Sequence, residues 1–337
     1  MRYDSWTVPE LPDVAVYVER IAERVQGKVL ERVRVASPFV LRTAVPPIAT
    51  TFGKRVLGVR RMGKRIVLAL EGELFVVVHL MVAGRFKWLP PGGKVPAKVG
   101  LAAFDFEHGA LLLTEASPKK RASIHVALGE GSLAQFDRGG LDVLGAATPA
   151  FVAAMTRERH TLKRALTDPT ILDGIGNAYS DEILHRARLS PLKLTSAMTD
   201  AEWAALHRAC KDVIEEWTDR LRAESAREFP TNVTAFREGM AVHGRYGQPC
   251  PACGARVQRI VYADNETNYC ATCQTGGKLL ADRSLSRLLR EDWPRTLEEM
   301  ESERPAIQRA PNPARSTRAP KKPRVRAPGG SGPTSGA

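Results

Sequence analysis

Apolar residues recur along this chain with two different periods, and the switch between them divides it. Residues 14–26 (VAVYVERIAERVQ) carry apolar side chains at helical spacing and predict an amphipathic helix, closed by Gly27. Short β-patterned runs follow at 29–36, 55–61, 65–70, 74–80, 101–106, 110–114 and 123–128, punctuated by Gly and Pro. One helix and then several strands within about 100 residues predict a β-sandwich or flattened barrel. From Thr148 the period becomes helical. Its clearest stretch is Asp200 to Ala226, where Trp203, Leu206, Cys210, Val213, Ile214 and Trp217 share one face. A second helical stretch, 279–302, is interrupted at Pro294. There is no internal repeat.

Composition narrows the class. A chain of 337 residues with 43% hydrophobic residues is long enough for two or three domains with their own cores. No apolar run approaches the roughly 20 residues of a membrane span. The formal net charge is +13, but eight of the 50 Lys/Arg and none of the 37 Asp/Glu lie from Arg304 onward. Residues 1–303 therefore carry only about +5, and the Pro-, Gly- and Ser-rich remainder reads as a disordered basic tail. Such a tail either solubilises or adds non-specific nucleic-acid affinity through counterion release.

Cys250, Cys253, Cys270 and Cys273 read C-x2-C-x16-C-x2-C. Two thiolate knuckles separated by enough chain for a β-hairpin suit one tetrahedral zinc ion. Two disulfides or two redox pairs are the alternatives. Both fit poorly with one further cysteine and no secretory signal. Four sulfur ligands leave no open coordination position, so the expected Zn2+ is structural. Cys210, on the apolar face of its helix, reads as a buried thiol.

Three further segments stand out: Pro9-Glu10-Leu11-Pro12-Asp13-Val14 before the first helix, Arg61-Met62-Gly63-Lys64-Arg65 entering a strand, and Asp173-Gly174-Ile175-Gly176-Asn177-Ala178-Tyr179-Ser180-Asp181-Glu182 between helices. Each has a plain structural reading, as a helix stop signal, a solvated basic face and a generic turn. In this order, and followed by the ribbon, they resemble the formamidopyrimidine-DNA glycosylase / endonuclease VIII family from Pro9 to about Gln274. The resemblance implies an α+β multidomain enzyme. Its expected parts are an N-terminal extension (1–8), a β-sandwich catalytic domain with one leading helix (9–145) and a helical domain with a helix–two-turn–helix (146–240). A four-cysteine zinc ribbon (241–277), a helical extension (278–303) and the tail (304–337) complete it.

The implied activity is removal of a damaged base flipped out of duplex DNA, with linked abasic-site lyase cleavage through a Schiff base. A proline at the N-terminus is a secondary amine that attacks the sugar C1′. An α-amino group has a pKa near 8, so a usable fraction is unprotonated at neutral pH. The resemblance casts Pro9 as that amine, Glu10 as the proton-shuttling carboxylate and Lys64 as a contact to the phosphate beside the lesion. Asn177, with the Gly174 and Gly176 turn, would meet a phosphate through side chain and backbone amides. Glu182 would be a supporting acid, and Lys119, Lys120 and Arg121 would hold DNA. The implied protein is a bacterial, cytoplasmic, nucleoid-associated monomer with damaged double-stranded DNA as partner and no membrane.

Three departures qualify this. Eight residues precede Pro9, and a proline nitrogen inside a chain is an amide, not a nucleophile. A GTG start codon read as the internal Val8 would remove the difficulty. The family's ribbon arginine is Asn265 here, within Asp264-Asn265-Glu266, with Arg256, Arg259 and Lys278 as candidate replacements. The wedge residues are altered too: His79-Leu80-Met81-Val82 puts valine or the preceding methionine in that role, and Ser117-Pro118-Lys119-Lys120-Arg121-Ala122 lacks the aromatic. A non-catalytic or glycosylase-only damage binder is therefore the alternative, and a zinc-ribbon RNA-binding protein a more distant one.

Overall fold

Two antiparallel sheets face each other in the N-terminal half of the computed structural model, which describes residues 9–231, 237–262, 265–281 and 294–300. Helix α1 (Leu11–Val25) precedes strands β1 (Val29–Leu30), β2 (Arg32–Val35), β3 (Lys54–Met62), β4 (Arg65–Leu70) and β5 (Leu74–His79). Then come β6 (Gly84–Leu89), β7 (Gly100–Phe106), β8 (Gly109–Glu115) and β9 (Ser123–Leu128). One sheet has the order β1-β3-β4-β5-β9, the other β2-β7-β8-β6.

Strands β4, β5 and β9 show why apolar residues dominate their sequences. Ile66, Leu68, Val76, Val78, Ile124 and Val126 face the space between the sheets. The alternate residues Val67, Phe75, Val77 and Ala127 pack under Leu133 and Phe136 of the 3-10 segment Glu130–Phe136. Both faces are covered, so period-2 alternation gives way to a continuous hydrophobic run.

Helix α1 starts at Leu11, three residues before the expected start, because Asp13 accepts a hydrogen bond from the Glu10 amide (2.9 Å) and Pro12 sits in the first turn, where its missing N–H has no partner to lose. Val14, Tyr17, Ile21 and Val25 enter the sandwich core, whereas Leu11 belongs to the helical core. The expected strand 29–36 is broken at Glu31 into β1 and β2, one in each sheet. Strand β6 was not foreseen from the pattern. It fills the edge beside β8 and buries Phe86 completely.

The helical core is built by α2 (Thr148–Met155), α3 (Leu162–Thr167), α4 (Asn177–Arg186) and α5 (Asp200–Glu224). Thr199 caps α5 through the Glu202 amide, and Glu202 bonds back to the Thr199 amide (2.9 Å). Cys210 is fully buried there, and burial pushes its thiol pKa far up. Strands β10 (Val257–Tyr262) and β11 (Asn265–Cys270) form the ribbon hairpin, followed by α6 (Ala271–Thr275). Of the expected extension 278–303, Lys278 and Thr296 pair as an isolated bridge, and residues 282–293 and 301–303 lie outside the described residues, as do 1–8 and 304–337.

Candidate active site

Register places three loops at one end of the sandwich. Arg65 pairs with His79 and His79 with Ser123, so the β3–β4 turn, the β5–β6 loop and the 116–122 loop share that end. The helical domain is docked against it. Leu11 N donates to Gly174 O (2.9 Å), and Arg61 Nη1 reaches Asp173 Oδ2 (2.5 Å) and Gly63 O (3.1 Å). This clamps the turn carrying Lys64 onto the turn that opens α4. Arg61 and Asp173 both lay in segments singled out by sequence, but their pairing across 112 positions left no sequence signal.

Pro9 and Glu10 are both buried, with Glu10 3% exposed. The Glu10 carboxylate accepts hydrogen bonds from the amides of Gly176 (2.7 Å), Ala178 (2.9 Å) and Tyr179 (3.2 Å) at the start of α4. Those unpaired amides and the helix dipole favour a carboxylate there. The expectation that the Gly174 and Gly176 amides approach a phosphate therefore meets another arrangement, since Gly176 N is given to Glu10. The glycines supply room instead. A Cβ on Gly176 would lie 2.5 Å from the Glu10 carboxyl carbon and 2.6 Å from Lys64 Nζ. At Gly174, φ is +84° and a Cβ would lie 2.8 Å from Leu11 Cβ.

Lys64 thus points its amine at the Glu10 carboxylate across Gly176. Packing around it lowers its pKa, although the Glu10 and Asp173 carboxylates pull the other way. His79 remains neutral: burial, with help from Arg65 and Lys64, takes its pKa down to about 4. Its Nδ1 contacts the Met81 sulfur, and Met81 holds a positive φ of 53°.

Of the neighbouring network the sequence singled out Asn177 and Glu182, whereas Lys163, His243 and Asn268 went unseen. Lys163 donates from Nζ to Asn177 O (2.7 Å), Ser180 Oγ (2.8 Å) and Asp181 Oδ1 (2.5 Å). Asp181, fully buried, also meets His243 Nδ1 (2.8 Å) and the Asn268 amide (3.0 Å). Glu182 accepts from the amides of Ala241, Val242 and His243 at 2.7–2.9 Å, while burial raises its pKa. It thereby fixes the chain entering the ribbon. Asn177 Nδ2 donates to Glu266 O (2.9 Å), joining α4 to β11.

The basic loop divides in two. Lys119 and Arg121 are exposed, whereas Lys120, at φ 40°, turns its amine back onto Glu115 O (2.7 Å) and Lys98 O (3.1 Å). In the ribbon, Asn265 opens β11 opposite Tyr262. The Glu266 carboxylate is paired with Arg259 (3.2 Å) and Asn268 Nδ2 (2.7 Å), so its charge is compensated. The Arg259 guanidinium lies 4.3 Å over the Tyr246 ring.

The sulfur atoms of Cys250, Cys253, Cys270 and Cys273 lie within 4.8 Å of one another. Gly254 N donates to Cys250 O (2.8 Å) and Cys273 N to Cys270 Sγ (3.5 Å), the local amide bonds of two knuckles. Four convergent sulfurs with no carboxylate among them fit a closed tetrahedral zinc site.

Three family descriptions match in chain order: the formamidopyrimidine-DNA glycosylase N-terminal domain over residues 8–135, its H2TH domain over 144–224, and the zinc finger found in these glycosylases and isoleucyl-tRNA synthetases over 247–276. A formamidopyrimidine-DNA glycosylase of Thermus thermophilus is 32% identical over 279 residues, covering 80% of this chain and 100% of the relative. The chain belongs to the formamidopyrimidine-DNA glycosylase family. It is a base-excision-repair DNA glycosylase from a family characterised by abasic-site lyase activity, and it carries one structural zinc ion.

The crystal structure of the Thermus thermophilus protein superposes with a TM-score of 0.68 at 33% identity, covering 79% of this chain and 98% of that one. A Lactococcus lactis glycosylase bound to abasic-site DNA shares the fold, with a TM-score of 0.71 at 22% identity over 79% of this chain and 99% of its own. An uncharacterised glycosylase-like protein of Mycobacterium tuberculosis is 40% identical over 151 residues, 45% of this chain and 94% of that protein. No helix among the described residues is long and apolar enough to cross a membrane.

Proposed function

We propose that this glycosylase flips a damaged nucleotide out of duplex DNA, excises the base and cleaves the strand through a Schiff base at Pro9. The observation that carries the reading is that the Glu10 carboxylate and the Lys64 amine meet at Gly176, where α4 begins, with the buried Pro9 directly before Glu10 in the chain. With Pro9 at a free N-terminus, its nitrogen attacks C1′, the glycosidic bond breaks and the base departs with a proton. Glu10 moves a proton to or from the sugar as the ring opens, and the resulting iminium supports β- and δ-elimination. Lys64 holds the phosphate beside the lesion. Asn177, Lys119 and Arg121 contact the backbone, and Arg259 takes the place of the arginine missing at 265. Lys163, Asp181 and Glu182 position α4 against the ribbon.

The excised base needs a receptacle. A cavity of about 200 Å³ opens between α1, the end of α5 and the chain that follows it. Asp13 lines it, paired with Arg237 (2.8 Å) on one oxygen and with the Glu10 amide on the other. That places the cavity one hydrogen bond from Glu10, and we assign it to the flipped base. The enzyme acts as a monomer in the bacterial cytoplasm, at the nucleoid.

The amide character of Pro9 in a chain that retains residues 1–8 favours a second reading, in which the protein binds damage without cleaving. A panel of duplexes carrying single oxidised purines, oxidised pyrimidines or an abasic site separates the two. Excision with strand cleavage on at least one lesion supports the first reading; tight binding to all with cleavage of none overturns it.

A further inference from the structure

Helix α4 carries the proposed site at its first turn and touches the metal site at its last. His185, in that last turn, places Nε2 3.2 Å from Sγ of Cys250. Cys250 is 2% exposed, so its sulfur is shielded from water while His185 stands against it. A zinc-bound cysteine is a thiolate and can only accept a hydrogen bond, which fixes the proton on Nε2. Among the described residues, His185 is the side chain outside the ribbon whose hydrogen bond ends on a ligand sulfur. A second tether reaches the other knuckle: Cys270 N donates to Gln274 Oε1 (2.8 Å), and Gln274 Nε2 donates to Leu189 O just beyond α4 (2.9 Å).

We propose that His185 is a positioning residue for the zinc site, donating Nε2–H to the Cys250 thiolate and fastening the metal to α4. The proposal rests on zinc filling the four-cysteine site and not on the reaction assigned to the cleft. A thiolate that loses a donor in a buried setting carries more negative charge and competes less well against protonation, so its metal is released sooner. Outer hydrogen-bond partners of metal ligands typically set affinity by about 10- to 100-fold. The consequence reaches the cleft, because Asn177 begins the helix whose last turn carries His185.

The test measures zinc release from the full-length, zinc-loaded protein to a chromogenic chelator in wild type, His185→Ala and His185→Gln. Gln can set an amide N–H where Nε2 stands. The expected result is release about 10- to 100-fold faster in His185→Ala, with most of the difference restored in His185→Gln. In the cobalt-substituted protein, the sulfur-to-metal charge-transfer band should shift in His185→Ala and return in His185→Gln. Wild-type release in His185→Ala overturns the proposal, as does equally fast release in His185→Gln. If His185→Ala does not fold, His185→Phe fills the space without a donor and is read against the same outcomes.

Discussion

The Glu10 carboxylate and the Gly176 amide, 166 positions apart in the chain, meet at 2.7 Å. Two more amides of the same helix turn complete the grip, so one side chain both joins the domains and stands where Lys64 arrives. Glu10→Gln turns one acceptor oxygen into a donor facing an N–H. It should destabilise the protein by about 1–3 kcal/mol in urea denaturation. It should also abolish strand cleavage with zinc content unchanged. Retained cleavage would remove Glu10 from the chemistry.

Gly176 has φ −134° and ψ −156°, open to any residue, so a defect in Gly176→Ala can come only from crowding. The methyl group would force Glu10 and Lys64 apart. Because a misplacement of about 1 Å can reduce rate by roughly 10²-fold, strand cleavage should fall on the order of 10²-fold. Equal activity in the variant and wild type would show that neither side chain needs its present position.

Glu182 satisfies three consecutive amides leading into the ribbon. Glu182→Ala leaves them buried without that partner and should cost about 2–3 kcal/mol. The resulting slack in the ribbon should weaken affinity for abasic-site DNA while the N-terminal sandwich melts as before. Unchanged DNA affinity would assign Glu182 to stability alone.

Much of this arrangement was legible in the chain wherever the signal is local. Mainly apolar runs announced β4, β5, β7, β8 and β9, and helical spacing announced α5. Cysteine spacing announced the ribbon, since a knuckle is complete within five residues. Strand β6 escaped because Arg85 and Lys87 interrupt the mainly apolar run that marks its neighbours. The site's wiring escaped for a different reason. Arg61–Asp173, Lys163–Asp181 and His185–Cys250 join residues 18 to 112 positions apart, and pairing at that separation is a product of the fold. Lys120 shows the limit for single residues. It is basic like Lys119 and Arg121, but its left-handed backbone turns the charge onto two carbonyls.

His79 gives a pH signature. Its folded-state pKa is about 4, against 6.5 when unfolded, so between these values the unfolded chain binds a proton that the folded chain refuses. Stability from this group is present above pH 6.5 and is lost as pH falls toward 4, by up to about 3 kcal/mol at 1.36 kcal/mol per pH unit. Urea unfolding of wild type and His79→Gln, compared pH by pH, should show the wild type losing more over that window. Parallel curves would contradict it.

The catalytic reading itself depends on one bond. Sodium borohydride trapping on abasic-site DNA, followed by mass mapping of the adduct, tests it most directly. The natively expressed protein should give a covalent adduct on a peptide that begins at Pro9, absent in a chain retaining residues 1–8. An adduct carried by another residue, or none from a protein with Pro9 at its free N-terminus, would contradict the account.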